Sequence, residues 1–155
     1  MKFKTASLCV LGLAAALLVL VGLSVAASPP KATGGVGFTT VENGEEVYRR
    51  IEFNAHATDS ARGNLNYRDA NGDWFRVDIQ CVYIWGDYAY FSGPITSASQ
   101  DEWLDQWLLV GVYDGGTPGS KGDLVWGEMY RYDPGCQPDS LPGPWPVING
   151  NLVVH

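Results

Sequence analysis

Hydrophobic and polar residues alternate with a period of two along most of the chain after residue 30. The segment Val47–Thr58 shows this most clearly, with two sets of side chains on opposite faces: Ile51, Phe53, Ala55 and Ala57 on one, Arg50, Glu52, Asn54 and His56 on the other. Successive side chains of a strand point to opposite faces of a sheet, so this pattern predicts a strand with one buried face.

Turn residues separate the alternating segments. Asn71-Gly72 lies between Asn64–Arg68 and Trp74–Trp85, and Asn-Gly in that setting predicts a tight hairpin. The longer segment is expected to place one set of side chains on a single face: Phe75, Val77, Ile79, Cys81, Tyr83 and Trp85. Gly86-Asp87 then predicts a second hairpin into Tyr88–Thr96.

Four more segments complete a set of about eight predicted strands, namely Thr33–Thr40, Trp107–Tyr113, Asp123–Tyr132 and Asn151–His155. Short antiparallel strands joined mostly by short turns predict an all-β domain, built either as a closed meander barrel or as a two-sheet β-sandwich. The sequential hairpins favour the barrel.

One segment carries a helix signal. Ser99 followed by Glu102 matches a capping box, in which the two side chains satisfy free backbone donors reciprocally. In a helix, Trp103 and Trp107 would share a face. Because strand-forming residues follow directly, the pattern predicts at most one short helix.

The first 27 residues have the layout of a secretory signal peptide. Lys2 and Lys4 precede an uncharged run from Thr5 to Ala27, and Val25–Ala27 ends it with small residues. The prediction is cleavage, leaving a single domain over residues 28–155 that is secreted or held at the cell surface. The alternative is an uncleaved membrane anchor, since the run is long enough to span a bilayer. Cys9 lies too early in the run for lipidation.

The charge balance argues against nucleic acid as a partner. The whole chain has a formal net charge of −7, and removal of the two leader lysines leaves eight basic residues against 17 acidic ones, a net charge of −9. Phosphate backbones attract proteins through clustered Lys and Arg, whereas this chain has only the adjacent pair Arg49-Arg50.

Two cysteines remain after the leader, Cys81 and Cys136. An exported pair is free to oxidise, and we predict a disulfide between them. The alternative is two unpaired thiols, with Cys81 filling an apolar strand position. Two cysteines and two distant histidines do not suit a zinc site.

Two acidic segments are weak candidates for a calcium site, and no other cofactor is expected. Asp69-x-Asn71-x-Asp73 has the spacing that opens a calcium loop, but Trp74 and Gln80 stand where Gly and Glu are required. A hairpin turn explains the same residues. Asp114 and Asp123 bracket a glycine-rich loop that is either an oxygen-ligand site or a tight connection between strands.

Catalytic motifs are missing from the sequence. No Gly-x-Ser-x-Gly or His-Glu-x-x-His occurs, and neither Cys81 nor Cys136 sits in a nucleophile motif. His56 has an ordinary pKa near neutrality but lies on the polar face of its strand, where a solvated histidine is commoner. The domain is therefore expected not to be an enzyme and to have no catalytic residues. A carboxylate pair of the glycosidase kind stays open as an alternative.

Aromatic residues supply the remaining functional signal. The chain has six Trp and eight Tyr, more than a core of this size can hold. Exposed aromatic patches mark interaction sites, and flat rings beside amides suit the apolar faces of sugars. Trp103, Trp107 and Trp145 are therefore predicted to form a carbohydrate-binding face. The alternative is that these rings plug or cover the barrel.

Four short motifs resemble a small exported all-β domain family of bacterial and archaeal cell-surface or secreted proteins, and they cover most of residues 31–155: Lys31–Phe38, Gly63–Tyr67, Asp114–Gly116 and Asn149–His155. The resemblance implies an extracellular β-domain with no established activity and no functional residue to transfer. The chain departs from that pattern in its cysteine pair, in the segment Asp101–Trp107 and in the proline-rich segment Pro134–Pro146.

The segment Pro134–Pro146 holds five prolines, which disfavour regular strand pairing and stiffen the chain. It is expected to cross the surface as a rigid loop tied down by Cys136. Such a loop presenting Leu141 and Trp145 would suit docking to a partner protein, as in a protease inhibitor, or would cover a sheet edge. The sequence thus predicts a non-enzymatic exported domain that binds a polysaccharide or surface protein, or has a structural role.

Overall fold

The computed structural model describes residues 28–116, 119–136 and 142–155. Three predictions fall wholly or partly outside that description. They are the leader over residues 1–27, the centre of the loop between Asp114 and Asp123, and residues 137–141 of the proline-rich segment, which include Leu141.

Nine strands and one turn of 3₁₀ helix make up the described structure. The strands are β1 Lys31–Glu42, β2 Glu45–His56, β3 Arg62–Asp69, β4 Trp74–Ile79, β5 Cys81–Trp85, β6 Tyr88–Ala98, β7 Trp107–Tyr113, β8 Leu124–Tyr130 and β9 Trp145–Val154, and the 3₁₀ turn is Asp101–Trp103. Strands are present in all eight predicted segments, and one of these segments, Trp74–Trp85, is divided into β4 and β5. None of the described residues forms a helix long and apolar enough to cross a membrane.

The strands form a closed antiparallel barrel. They are hydrogen-bonded in the order β4-β3-β2-β1-β9-β8-β7-β6-β5, and β4 also pairs with β6, which closes the eight-stranded barrel and leaves β5 as an extra strand beside β6. Neighbours in the barrel follow one another in sequence, as in a meander, with two exceptions: β1 pairs with β9, the first strand with the last, and β4 pairs with β6. The pairing of β4 with β6 confirms the barrel prediction. Closure gives hydrogen-bond partners to strand edges that an open sheet would expose.

The predicted long strand Trp74–Trp85 is broken at Gln80, and its inward face changes there. In β4 the buried side chains are Phe75, Val77 and Ile79, whereas in β5 Val82 and Ile84 pack toward the core and Tyr83 and Trp85 are exposed. The single face predicted from Phe75 to Trp85 is therefore wrong. Val77 is paired with Ile95 of β6 and Cys81 with Ser92, so four steps along β4–β5 match three steps along β6. One extra residue near Gln80 therefore reverses the alternation that follows it.

The Asn-Gly hairpin between β3 and β4 is confirmed. Gly72 has φ +91°, in the left-handed region that favours glycine. The Asp69 side chain accepts hydrogen bonds from the backbone N–H groups of Asn71 and Asp73, at 2.9 and 3.0 Å. The segment Asp69–Asp73 therefore forms a turn, which the Asp69 carboxylate stabilises by accepting these backbone hydrogen bonds.

The prediction of a capping box at Ser99 and Glu102 is wrong. Gln100 precedes the 3₁₀ turn and makes no side-chain cap. Ser99 instead accepts a hydrogen bond from the Trp74 backbone N–H and donates one to Asp73, both at 3.0 Å. Helical geometry stops after one turn, and Asp105 follows at φ 66°. Trp103 and Trp107 consequently do not share a helical face, since Trp107 already belongs to β7.

The core is the barrel interior. Inward-facing residues from all eight barrel strands form one cluster, which includes Ala32, Val36, Ile51, Phe53, Leu65, Val77, Phe91, Ile95, Val110, Val125 and Leu152. The alternating set Ile51, Phe53 and Ala55 is buried as predicted. Phe53 and Phe91 meet across the interior with ring centroids 5.0 Å apart, so side chains fill this part of the barrel.

The barrel wall is incomplete between β1 and β8. Strand β9 begins at Trp145, inside the segment whose prolines were expected to disfavour regular pairing, and it pairs with β8 only through Leu124–Pro146 and Val125–Trp145. It pairs with β1 as far as Phe38. Among the described residues no strand joins the end of β1 to Trp126–Tyr130 of β8, so an opening lies between them.

The predicted disulfide is present, with Cys81 and Cys136 bonded and their Cα atoms 5.5 Å apart. Cys81 is in β5 and is paired with Ser92 of β6, which in turn is paired with Leu109 of β7. Ser92 and Leu109 are each 1% exposed, although Leu109 lies outside the main core cluster. The disulfide therefore ties the start of the proline-rich segment to the outer face of β5–β7.

Candidate functional site: an aromatic-lined cavity in the barrel wall

A cavity of about 400 Å³ enters the barrel through the opening between β1 and β8. Its inner wall is apolar and is formed by inward residues of several strands: Phe38, Ile51, Phe75, Leu108, Val110, Val125 and Met129. The volume lies in the range of small-molecule sites, which are typically apolar hollows with a few placed polar groups. The interrupted pairing of β9 thus creates a site that a complete barrel wall would close.

Aromatic rings shape the rim of the cavity. Trp103 meets Phe75 edge to face with centroids 5.6 Å apart, and Trp145 stacks on Phe38 at 5.8 Å. Both tryptophans are half-buried and pack against the core. Trp126 completes the rim on β8. Rings supported in this way lose little conformational freedom when a ligand packs on them.

One polar cluster lies in the cavity and is centred on Arg49 of β2. Its Nε donates to Thr40 Oγ1 and its Nη1 donates to the Tyr67 hydroxyl, each at 2.7 Å. Its Nη2 is paired with the Glu42 carboxylate. The Arg49 side chain is only 19% exposed, while Glu42 is about half exposed. A buried guanidinium is stable here because each of its nitrogens has an acceptor.

Burial raises the pKa of the Tyr67 hydroxyl to about 12, although the positive charge of Arg49 acts in the opposite direction. Removing the ring from water disfavours the phenolate more strongly than the nearby guanidinium stabilises it. Tyr67 is therefore a neutral hydroxyl at physiological pH. Its ring stacks on Phe75 with centroids 4.4 Å apart, so that the polar cluster is attached directly to the apolar wall.

The three tryptophans predicted to bind ligand are placed in two groups. Trp103 and Trp145 both line the cavity, whereas Trp107 lies in β7, paired with Pro94 and Tyr130, and does not line it. All three are half-buried, so the expectation that they share one exposed face is wrong. The exposed tryptophans are Trp74 and Trp85. Ligand binding by Trp103, Trp107 and Trp145 remains a prediction.

Sequence reasoning missed the Arg49 cluster, although a signal for it was present. Arg49 is in phase with Ile51, Phe53 and Ala55, so the alternation of β2 places its charged side chain on the inward face. A charged residue at such a position needs partners. Thr40, Glu42 and Tyr67 come from other strands, and nothing in their spacing indicates that they meet Arg49.

The acidic loop between β7 and β8 uses its carboxylates to hold backbone. Asp114 accepts hydrogen bonds from the N–H groups of Gly116 and Val154, at 2.8 and 3.1 Å, and Asp123 accepts one from Gly115 at 3.0 Å. Burial of Asp123 raises its pKa. Within the described residues, no group of three or more His, Cys, Asp or Glu side chains is placed to hold a metal ion.

His56 is at the end of β2, where it is paired with Lys31 and Arg62. It lines neither the cavity nor a second hollow, on the outer face of β2–β4, that Arg50, Arg68 and Arg76 border. The only other histidine, His155, follows β9. The described structure therefore places neither histidine beside the candidate site.

Two outer faces of the barrel carry other chemistry. On β5–β8, Trp85 is 68% exposed and stacks on Tyr88, which also contacts Tyr113 and Trp126. On β2–β4 the outward side chains include arginines and Trp74. The two faces differ in that the first is aromatic and the second is charged.

Comparison of the chain with protein-family models, with curated proteins and with solved structures finds no match.

Proposed function

We propose that this protein is a non-enzymatic, exported β-barrel that binds a small apolar molecule in the cavity between β1 and β8. The observation that carries the proposal is the lining of that cavity, in which mostly apolar and aromatic side chains surround the Arg49 cluster. A pre-formed apolar hollow with a few fixed polar groups is the commonest form of a small-molecule site.

The polar cluster supports binding rather than catalysis. Arg49 is bonded to Thr40, Tyr67 and Glu42, so each of its three nitrogens already has an acceptor. Tyr67 is held neutral by the burial that raises its pKa. We infer that the cluster contacts the polar end of a ligand at the rim, while the apolar body packs against Phe38, Phe75 and the inner wall.

Export remains part of the proposal. The disulfide between Cys81 and Cys136 is compatible with an extracellular protein, where an oxidising environment preserves such bonds. The leader-like residues 1–27 are the second support. An extracellular barrel with an apolar cavity suits the capture or carriage of a sparingly soluble molecule.

The test is binding of N-phenyl-1-naphthylamine, a neutral apolar fluorophore. Trp103, Trp126 and Trp145 line the cavity, so their excitation should be transferred to the bound probe. We expect saturable binding at one site, with displacement by linear alcohols. Affinity should rise about fourfold for each methylene added until the cavity is full, because a buried methylene contributes about 0.8 kcal/mol.

Two substitutions to tryptophan locate the site. Met129→Trp places a larger side chain in the cavity wall and should weaken probe binding at least tenfold. Ile148→Trp makes a comparable change at an exposed position of β9 outside the cavity, and should leave binding unchanged. Equal affinity of the probe for both variants would contradict the proposal. The alcohol series is measured on the wild type and does not depend on how either variant folds. An affinity that does not change with alcohol length would also contradict the proposal.

A partner-docking role for the proline-rich loop is a second candidate, favoured by the disulfide that anchors its start at Cys136. Trp145 does not support this role, because it stacks on Phe38 at the beginning of β9. The remaining candidate residues are in 137–141. Deleting residues 138–141 should abolish capture of a partner protein and spare probe binding if docking is the function.

A further inference from the structure

The outer face of β2, β3 and β4 carries three arginines close together in a chain whose net charge is −7. Arg50 of β2 is paired directly with Arg68 of β3, and Arg68 is paired with Trp74 of β4. Arg76 is two residues further along β4, opposite Asn66. Neighbouring strands are about 4.8 Å apart, so the row from Arg50 to Trp74 spans about 10 Å.

These charges are poorly compensated. Arg50 is paired with Glu52 at 2.8 Å, and both side chains are about half exposed. Within the described residues, no carboxylate lies within salt-bridge distance of Arg68 or Arg76. Like charges directly opposite on a strand pair destabilise a sheet. The facing Arg50 and Arg68, with Arg76 beside them, therefore concentrate positive charge at this place.

The arginines border a hollow of about 740 Å³ rather than a flat surface. It is lined by Arg50, Glu52, Asn66, Arg68, Trp74, Arg76 and Ser97 as well as by parts of Tyr67 and Phe75. Trp74 is 42% exposed, so its ring is available at one side. Asn66 adds an amide and Ser97 a hydroxyl, groups that bond to alcohols in either direction.

We propose that this hollow binds an acidic polysaccharide, one whose sugar units carry carboxylates. Guanidinium groups bind carboxylates through paired hydrogen bonds. The Trp74 ring offers a flat apolar surface to a sugar ring, and the amide and hydroxyl suit its hydroxyl groups. A row of about 10 Å accommodates a short stretch of sugar units. This site lies on the outer face and does not depend on the apolar cavity.

The overall charge favours a polysaccharide over a nucleic acid. A long phosphate backbone would extend beyond the three arginines onto a predominantly acidic surface and be repelled there. A duplex has one charge per about 1.7 Å, whereas a glycan with one carboxylate per sugar ring has fewer charges per unit length, and its sugar rings give Trp74 a surface to contact. Nucleic acid is therefore an alternative outcome of the test.

The experiment measures binding of the purified protein to polygalacturonate at low salt, with its fully methyl-esterified form as the matched uncharged polymer. We expect binding to the acid and at least tenfold weaker binding to the ester. Arg68→Gln/Arg76→Gln should weaken binding at least tenfold, because each substitution removes a charge-assisted hydrogen bond. Trp74→Ala should weaken binding severalfold through loss of the ring contact.

Matched controls separate this hollow from a general charge effect. Arg62→Gln/Arg131→Gln removes the same number of exposed charges elsewhere, and Trp85→Ala removes the other exposed tryptophan. Both should bind like the wild type. All substitutions are at exposed positions, so the midpoint of thermal unfolding confirms folding. Equal binding of the ester, equal loss in the controls, equal binding of single-stranded DNA, or no binding to polygalacturonate would each overturn the proposal.

Discussion

Arg49 donates a hydrogen bond from Nη1 to the Tyr67 hydroxyl at 2.7 Å, and this contact joins the polar cluster around Arg49 to the apolar wall of the cavity. The two residues are on neighbouring strands, with Arg49 paired to Asp69 and Tyr67 paired to Ile51. They are thus diagonal neighbours on the inward face. The contact explains how a charged residue occupies an inward position of β2 beside a buried aromatic ring.

Stability should fall with rising pH above pH 10 because of Tyr67. Its folded-state pKa of about 12 exceeds the unfolded value of 10.0, so between these values the unfolded chain loses the proton first. The contribution of Tyr67 is therefore complete below pH 10 and is lost as the pH approaches about 12. Urea unfolding from pH 9 to 11.5 should show a shallower decline for Tyr67→Phe than for the wild type. Parallel declines would contradict the assignment.

Gly93→Ala should strongly destabilise the barrel. A Cβ at Gly93 would lie 1.9 Å from the backbone oxygen of Asp78, where β4 and β6 close the barrel. Relieving that overlap requires movement of backbone, and we expect a loss of about 3 kcal/mol or failure to fold. Gly127→Ala is the matched control, since its nearest neighbour would be Leu109 oxygen at 3.7 Å, and its effect should be within about 1 kcal/mol. Similar effects at both glycines would show that the closure is not tight.

Reduction of the disulfide should lower the free energy of unfolding. Cys81 and Cys136 are 55 residues apart, and in the chain-entropy model a crosslink of that span contributes about 4 kcal/mol. Urea unfolding with and without reductant measures the difference. The Cys81→Ser/Cys136→Ser variant should match the reduced wild type and should not respond to reductant. An unchanged unfolding midpoint on reduction would mean that the bond does not constrain the unfolded chain.

Asp123→Asn should stabilise the protein near neutral pH. The side chain is 1% exposed and burial raises its pKa, so the ionised form carries a free-energy cost in the folded state. That cost is present above the folded pKa and disappears as the pH falls toward the unfolded value. Asn keeps an oxygen that can accept from Gly115. The variant's advantage in urea unfolding should be larger at pH 7 than at pH 4.5; a pH-independent difference would contradict this explanation.

The sequence by itself determined the class of the fold and most of its strands. Period-two alternation and turn residues are local properties, so Val47–Thr58, the Asn71-Gly72 hairpin and the strands around them could be located without knowing what they contact. The two cysteines left after the predicted leader were enough to suggest the disulfide. The sequential hairpins likewise favoured the barrel that the structure shows.

Only the tertiary structure decided where the side chains meet. One extra residue near Gln80, relative to β6, turned Tyr83 and Trp85 outward, and the late start of β9 left the opening that Trp103 and Trp145 line. Strand alternation specifies which side chains share a face of one strand, but not a bulge or a gap produced by pairing with a distant strand. The Arg49 cluster and the arginine-lined hollow likewise assemble from different strands, so they exist only once the barrel has closed.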